Sequence, residues 1–114
     1  MGRQPLILLV LLSACSGNPR EDLQYIKQAR SLAAEWALIN EQARADRVTT
    51  TYVRSMHHWL RIDLHSASSS LSQPDSPYGA EMRALLAEPA DADPDRLRAH
   101  VEALLHTEDE LESD

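Results

Sequence analysis

From residue 20 onward the apolar residues of this chain recur at helical spacing. Tyr25, Ala29, Leu32, Trp36, Ile39 and Ala43 follow one another at alternating steps of four and three. That rhythm gathers side chains on one face only when the backbone turns every ~3.6 residues; in a strand it would scatter them over both faces. Leu97, Val101, Leu104 and Leu105 repeat the pattern near the C-terminus and define an amphipathic stripe. No segment alternates with period two, and no internal repeat of useful length is present. The sequence therefore predicts an all-α domain.

The middle of the chain breaks the first stripe. Val48, Tyr52, Met56, Trp59 and Leu60 would lie nearly opposite it on a straight helix, and the β-branched run Thr49-Thr50-Thr51 weakens helix propensity at the change of phase. The expectation is a long, near-continuous N-terminal helix, bent near residues 44–51, whose two halves face different neighbours. Leu64, Ala67 and Leu71 continue the second stripe into the serine-rich segment 66–70, a soft end because serine competes with the backbone for hydrogen bonds.

Caps and prolines divide the remainder. Asn18 and Pro19 signal the first helix, Ser76 and Pro77 a short one through Met82, Leu85 and Leu86, and Asp93 and Pro94 the last. In each, a capping side chain precedes a proline whose fixed φ suits the first helical position. Glu88-Pro89 stops the middle helix. The stretch from Glu108 to Asp114 is almost wholly acidic and opposes the helix macrodipole, so residues 112–114 are expected to fray. The helical domain then covers residues 20–111, folded as an antiparallel hairpin or small bundle. There is no Phe, which leaves Trp36, Trp59, Tyr25, Tyr52 and Tyr78 as the expected aromatic anchors of the core.

Ahead of the helices stand Arg3, an apolar run from Leu6 to Leu12, two small residues and Cys15. The run is too short to span a bilayer, which takes roughly 20 apolar residues, and its order of regions is that of a signal peptide. Leu12-Ser13-Ala14-Cys15 resembles the lipobox of bacterial prolipoproteins. The resemblance implies removal of residues 1–14 by signal peptidase II, with a thioether-linked diacylglycerol and further fatty acyl chains, such as palmitate, on Cys15. Ser16, in place of aspartate after the cysteine, implies transport to the outer membrane, facing the periplasm. Residues 15–19 form a breaker-rich tether reaching roughly 17 Å when extended. Cys15 is the single cysteine, so no intramolecular disulfide can form and lipidation accounts for an exported lone thiol.

The formal net charge is −7, which argues against nucleic acid as a partner, since that needs a basic footprint. No two histidines among His57, His58, His65, His100 and His106 lie three or four residues apart, the spacing that puts two metal ligands on one helix face. The haem attachment motif C-x-x-C-H, the G-x-S-x-G elbow and a glycine-rich phosphate loop are all missing from the sequence, and Met56 and Met82 fit apolar core positions better than haem ligation. No cofactor, metal or catalytic residue is expected. The competing possibility is a small-ligand or metal-binding carrier using His57, His58 or His65.

One polar face stands out. Arg47, Arg54 and Arg61 are spaced by seven, as are His58 and His65, and on a continuous helix all five fall on one side, opposite Tyr52, Met56 and Trp59. Within an acidic protein this cationic side reads either as a solvated face loosely paired with Glu108, Asp109 and Glu110 or as a docking face. Docking would suit an anionic partner: lipid headgroups, an envelope polymer or an acidic protein patch. The composite expectation is a small, lipid-anchored envelope protein that is a non-enzymatic helical interaction or structural module.

Overall fold

In a computed structural model the described residues, 18–113, are all-helical. A 3-10 turn, Pro19–Asp22, runs into α1 (Leu23–Arg44), followed by α2 (Thr50–Ser69), α3 (Pro77–Leu86) and α4 (Pro94–Ser113). The predicted starts hold in detail. The Asn18 side chain accepts from the Arg20 amide at 2.9 Å, Ser76 Oγ accepts from the Gly79 amide at 3.1 Å and Asp93 Oδ1 accepts from the Asp95 amide at 2.9 Å. Each satisfies an amide that has no partner inside its helix.

The expected bend near residues 44–51 is a complete break. The Arg47 amide donates to the Gln42 carbonyl at 3.0 Å and the Asp46 amide to the Ala43 carbonyl at 3.1 Å, the nested pair of bonds that closes a helix in a Schellman motif. Its left-handed residue is Asp46, with φ 56°; aspartate visits this region more readily than most side chains. Thr49 then caps α2 by accepting from the Tyr52 amide at 3.1 Å. The polypeptide reverses here, so α2 runs antiparallel to α1, as the 2.7 Å contact of His57 with Asn40 near the turn shows. At the far end the Ser72 amide reaches Asp22 at 2.7 Å.

α1 is the central element. It packs most extensively against α4, then against α2, while α2 and α4 do not touch each other and α3 contacts both. Serving two neighbours explains why α1 buries more than the stripe read from sequence. Ile26, Ala33, Ala37 and Asn40 are buried along with Ala29, Trp36 and Ile39, whereas Tyr25 and Leu32 only border the core. The inward residues of α2 are Leu60, Leu64 and Ala67, those of α3 are Tyr78, Met82 and Leu85, and those of α4 are Leu97 and Leu104. Burying a leucine or methionine side chain contributes about 1.5–3 kcal/mol, so these few residues supply much of the driving force.

Two sequence expectations are corrected. Trp59 and Tyr52 are not core anchors: they are 57% and 47% exposed, because the inward face of α2 passes through Val53 as well as the expected Met56 and Leu60 and leaves Tyr52 and Trp59 off its edge. The helical domain does not close at residue 111: α4 extends to Ser113. Glu108 continues the Leu97, Val101, Leu104 stripe into the interior, where it is 2% exposed and paired with Arg30. Lys27 and Glu112 add a surface pair at 3.5 Å. These opposite charges on α1 offset the unfavourable macrodipole term, which is worth only about 0.3–1 kcal/mol at such sites.

Candidate docking face and the polar clusters behind it

The cationic side is smaller than the sequence suggests. Arg47 lies in the 45–49 connection, outside any helix, so the break removes it from the stripe. Arg54, His58, Arg61 and His65 remain on α2 at steps of four, three and four, and all four are exposed. Arg61 is anchored: its guanidinium donates to the Leu86 carbonyl at 3.1 Å and the Glu88 carbonyl at 3.2 Å, which ties α2 to the end of α3. Among the described residues Arg54 has no ion-pair partner, and the proposed pairing with Glu108 fails because that carboxylate faces Arg30 instead. Glu110 pairs within its own helix, with His106 at 2.8 Å.

Beside the cationic row runs an apolar one. Tyr52 and Trp59 are joined by Ile62, 44% exposed, and the Trp59 ring meets His58 edge-on, with centroids 5.5 Å apart. Between α2 and α3 an open concavity is bordered by Arg61, Ile62, His65 and Leu86. Asp63 is the one carboxylate on α2. The outer side of this helix therefore joins exposed aromatic and aliphatic surface to positive charge.

Behind the face lie buried polar clusters that sequence reasoning did not identify. Asp22 accepts from the Ser72 amide at 2.7 Å, the Gln73 amide at 3.1 Å and the Tyr78 hydroxyl at 2.6 Å. Burial pushes the Asp22 carboxyl upward, but these donors outweigh it and hold its pKa below the ordinary value of 3.8. The same burial and hydrogen bond raise the Tyr78 phenol to about 12, because ionising it would place a second negative charge beside the carboxylate.

A second cluster fixes the segment before α4. Asn40 Nδ2 donates to the Ala90 carbonyl at 3.1 Å and the Ala92 carbonyl at 2.8 Å, and Trp36 Nε1 donates to Ala90 at 2.8 Å. With its amide nitrogen committed, Asn40 presents its oxygen to His57 Nε2, which must be the protonated ring nitrogen. Burial lowers the His57 pKa and the Arg61 charge assists, with Asp91 opposing. In the third cluster the two ring nitrogens of His100 face Glu81 and Glu88, the latter at 2.8 Å. Burial disfavours the His100 cation, but the two carboxylates outweigh it and raise the pKa. Glu88 also accepts from Arg96 at 2.7 Å.

These networks engage two of the five histidines. His57 is committed to Asn40, while the nitrogens of His100 point at different carboxylates. No group of three His, Cys, Asp or Glu side chains among the described residues could hold a metal ion. The space enclosed by Trp36, His57, Leu60, Leu64 and Leu86 measures about 10 Å³, which is room for one water. No described helix is long and apolar enough to cross a membrane. Cys15 and residues 1–14 lie outside the described residues.

A signal for the missed residues does exist. Asp22 extends the Ile26, Ala29, Ala33 register backward, Asn40 extends it forward, and Glu108 extends the register of α4; each is a polar residue at an apolar position, and buried polar groups must find partners. No known protein family, curated protein or solved structure matches the chain.

Proposed function

We propose that this chain is a lipid-anchored bacterial envelope protein whose helical domain serves as a non-enzymatic interaction module. The observation that carries the reading is the order Arg3, Leu6 to Leu12, Ser13-Ala14, Cys15, only three residues ahead of Asn18, which caps the first helical turn of the domain. A cysteine so close to the folded domain would hold it at a membrane surface. Ser16 directs the processed protein to the outer membrane, facing the periplasm.

A scaffold with its buried polar groups mutually satisfied and one exposed mixed face fits presentation to a partner better than catalysis, which needs convergent reactive groups around a free volume. The carrier alternative draws less support, since the space beside His57 measures only about 10 Å³ and the roomier concavity at His65, about 450 Å³, is an open surface trough and not a cleft that would bury most of an organic ligand.

Membrane fractionation with fatty-acid labelling tests the reading. Cys15→Ala should abolish label incorporation and release the protein from the outer-membrane fraction, and a signal peptidase II inhibitor should accumulate the uncleaved precursor. Unchanged membrane retention together with absence of label on the unaltered protein would overturn it.

A further inference from the structure

We propose that the outer side of α2 docks onto the surface of an anionic phospholipid bilayer, so that the domain lies flat on the membrane instead of projecting from it. The inference deepens the anchored reading and rests on it for the position of Cys15.

Geometry supplies the first argument. The Asn18 carbonyl accepts from the Ser72 hydroxyl at 3.4 Å, so the chain enters the domain beside the C-terminal end of α2, which closes at Ser69. Cys15 lies three positions before Asn18, a distance of at most about 11 Å. An acyl chain on Cys15 therefore holds that end of α2 near the headgroups. A helix of 20 residues is about 30 Å long, so it either stands away from the surface or lies along it.

Chemistry decides between the two. Tyr52, Trp59 and Ile62 are exposed apolar groups in a domain with few others: the remaining large ones are Leu38 and Leu105. Tryptophan and tyrosine favour the membrane–water boundary, where the ring is desolvated and the polar edge stays wet. Arg54, His58 and His65 sit alongside, with Arg54 unpaired, and the concavity bordered by Arg61, Ile62, His65 and Leu86 offers a guanidinium and an imidazole beside apolar walls. A phosphodiester headgroup with its first methylenes has that combination of charge and grease.

Charge distribution gives the third argument. α2 and α4 do not touch and are separated by α1, and α4 exposes Glu102, Asp109, Glu110 and Glu112. An anionic surface repels that side and attracts the other, so the molecule has one preferred orientation despite its net charge of −7. Asp63 is the one charge on α2 that opposes docking. Each arginine near an anionic leaflet favours the docked state roughly fivefold.

The full-length processed protein, reconstituted at low density into vesicles of brominated phosphatidylcholine with or without phosphatidylglycerol, tests this. Trp36 is buried, so quenching reports Trp59, and Trp59→Phe should remove the response. Docking predicts Trp59 quenching at least about twofold greater in the anionic vesicles, lost in high salt as charges are screened. Arg54→Glu with His65→Glu leaves the Arg61 bonds intact and should lower the ratio of docked to undocked protein about 25-fold or more, with helicity and melting unchanged. Equal, weak quenching in both lipids overturns the proposal, as does protection of Trp59 that tracks protein density, which would mark a second copy on this face. Mass spectrometry of the same sample reads acylation of Cys15: an unacylated chain overturns anchoring, and flotation of that chain with the two vesicle types then decides the α2 face by itself.

Discussion

Asp22→Ala removes the acceptor that joins the start of α1 to the loop between α2 and α3. Three donors lose their partner together. The Tyr78 hydroxyl is at a buried residue, so leaving it unsatisfied costs about 1–3 kcal/mol. Ser72 is exposed and Gln73 half-buried, so water can reach their amides and each loss costs about 0.5–1 kcal/mol. The expected destabilisation is about 3 kcal/mol, a large share of the 5–15 kcal/mol typical of a domain, and it should lower Tm by roughly 10–20 °C in a chain of this size.

Chemical denaturation followed by circular dichroism measures it, and a partner variant separates the terms. Tyr78→Phe removes the buried donor but leaves the carboxylate with two amides, so it should cost about 1 kcal/mol. Asp22→Ala in that background should cost at least about 1 kcal/mol less than in the unaltered chain, because the worst orphan is already gone. The pH dependence follows the same logic. With its folded pKa below 3.8, Asp22 stabilises the fold above that value, and the contribution is lost as pH falls through the folded pKa. Additive single-variant costs, or an unchanged acid profile in Asp22→Ala, would refute the reasoning.

His100 has the opposite linkage. Its folded pKa lies above 6.5, so its contribution is complete below 6.5 and disappears as pH rises through the folded value; urea midpoints of His100→Gln should lack that alkaline decline. Glu108→Gln leaves Arg30 facing a neutral amide. With Arg30 about one-third exposed, the cost should be about 1–3 kcal/mol by thermal melting, while the apolar double replacement Arg30→Leu, Glu108→Leu should recover most of it. Gly79→Ala gains about 1 kcal/mol of helix propensity, but the new Cβ would drive into the Pro74 carbonyl. Net destabilisation is expected, and a raised Tm would show that the α2–α3 turn gives way freely.

The all-α class and the starts of α1, α3 and α4 were readable because their signals are local. Asn18-Pro19, Ser76-Pro77 and Asp93-Pro94 each combine a cap with a proline, and no long-range contact is needed to interpret them. The break at residues 45–49 was harder to read because its left-handed residue is Asp46 and not the glycine that usually marks a Schellman turn. Taking that break for a bend placed Arg47 on the cationic row, and leaving Val53 out of the inward face of α2 placed Trp59 inside. The clusters around Asp22, Asn40 and His100 depend on partners 12 to 56 residues away. A single-helix pattern can flag such positions only as polar residues on an apolar stripe.

The clamp at Asp22 also bears on how an anchor could orient the domain. A lipid on Cys15 would fix one point, and a body held at one point can still swing. What would convert the tether into a bearing is the hydrogen-bonded junction where Asn18 meets Ser72 and Asp22 gathers Ser72, Gln73 and Tyr78, because it ties the entering chain to the end of α2. Loosening it should change orientation before it changes attachment. In the reconstituted system Asp22→Ala, studied well below its Tm, should keep its membrane association while losing part of the difference in Trp59 quenching between anionic and neutral vesicles. The unaltered protein at the same temperature should keep the full difference. Full quenching with the clamp removed would mean that the charges and aromatic groups of α2 set the orientation unaided, and the junction would then matter for stability alone.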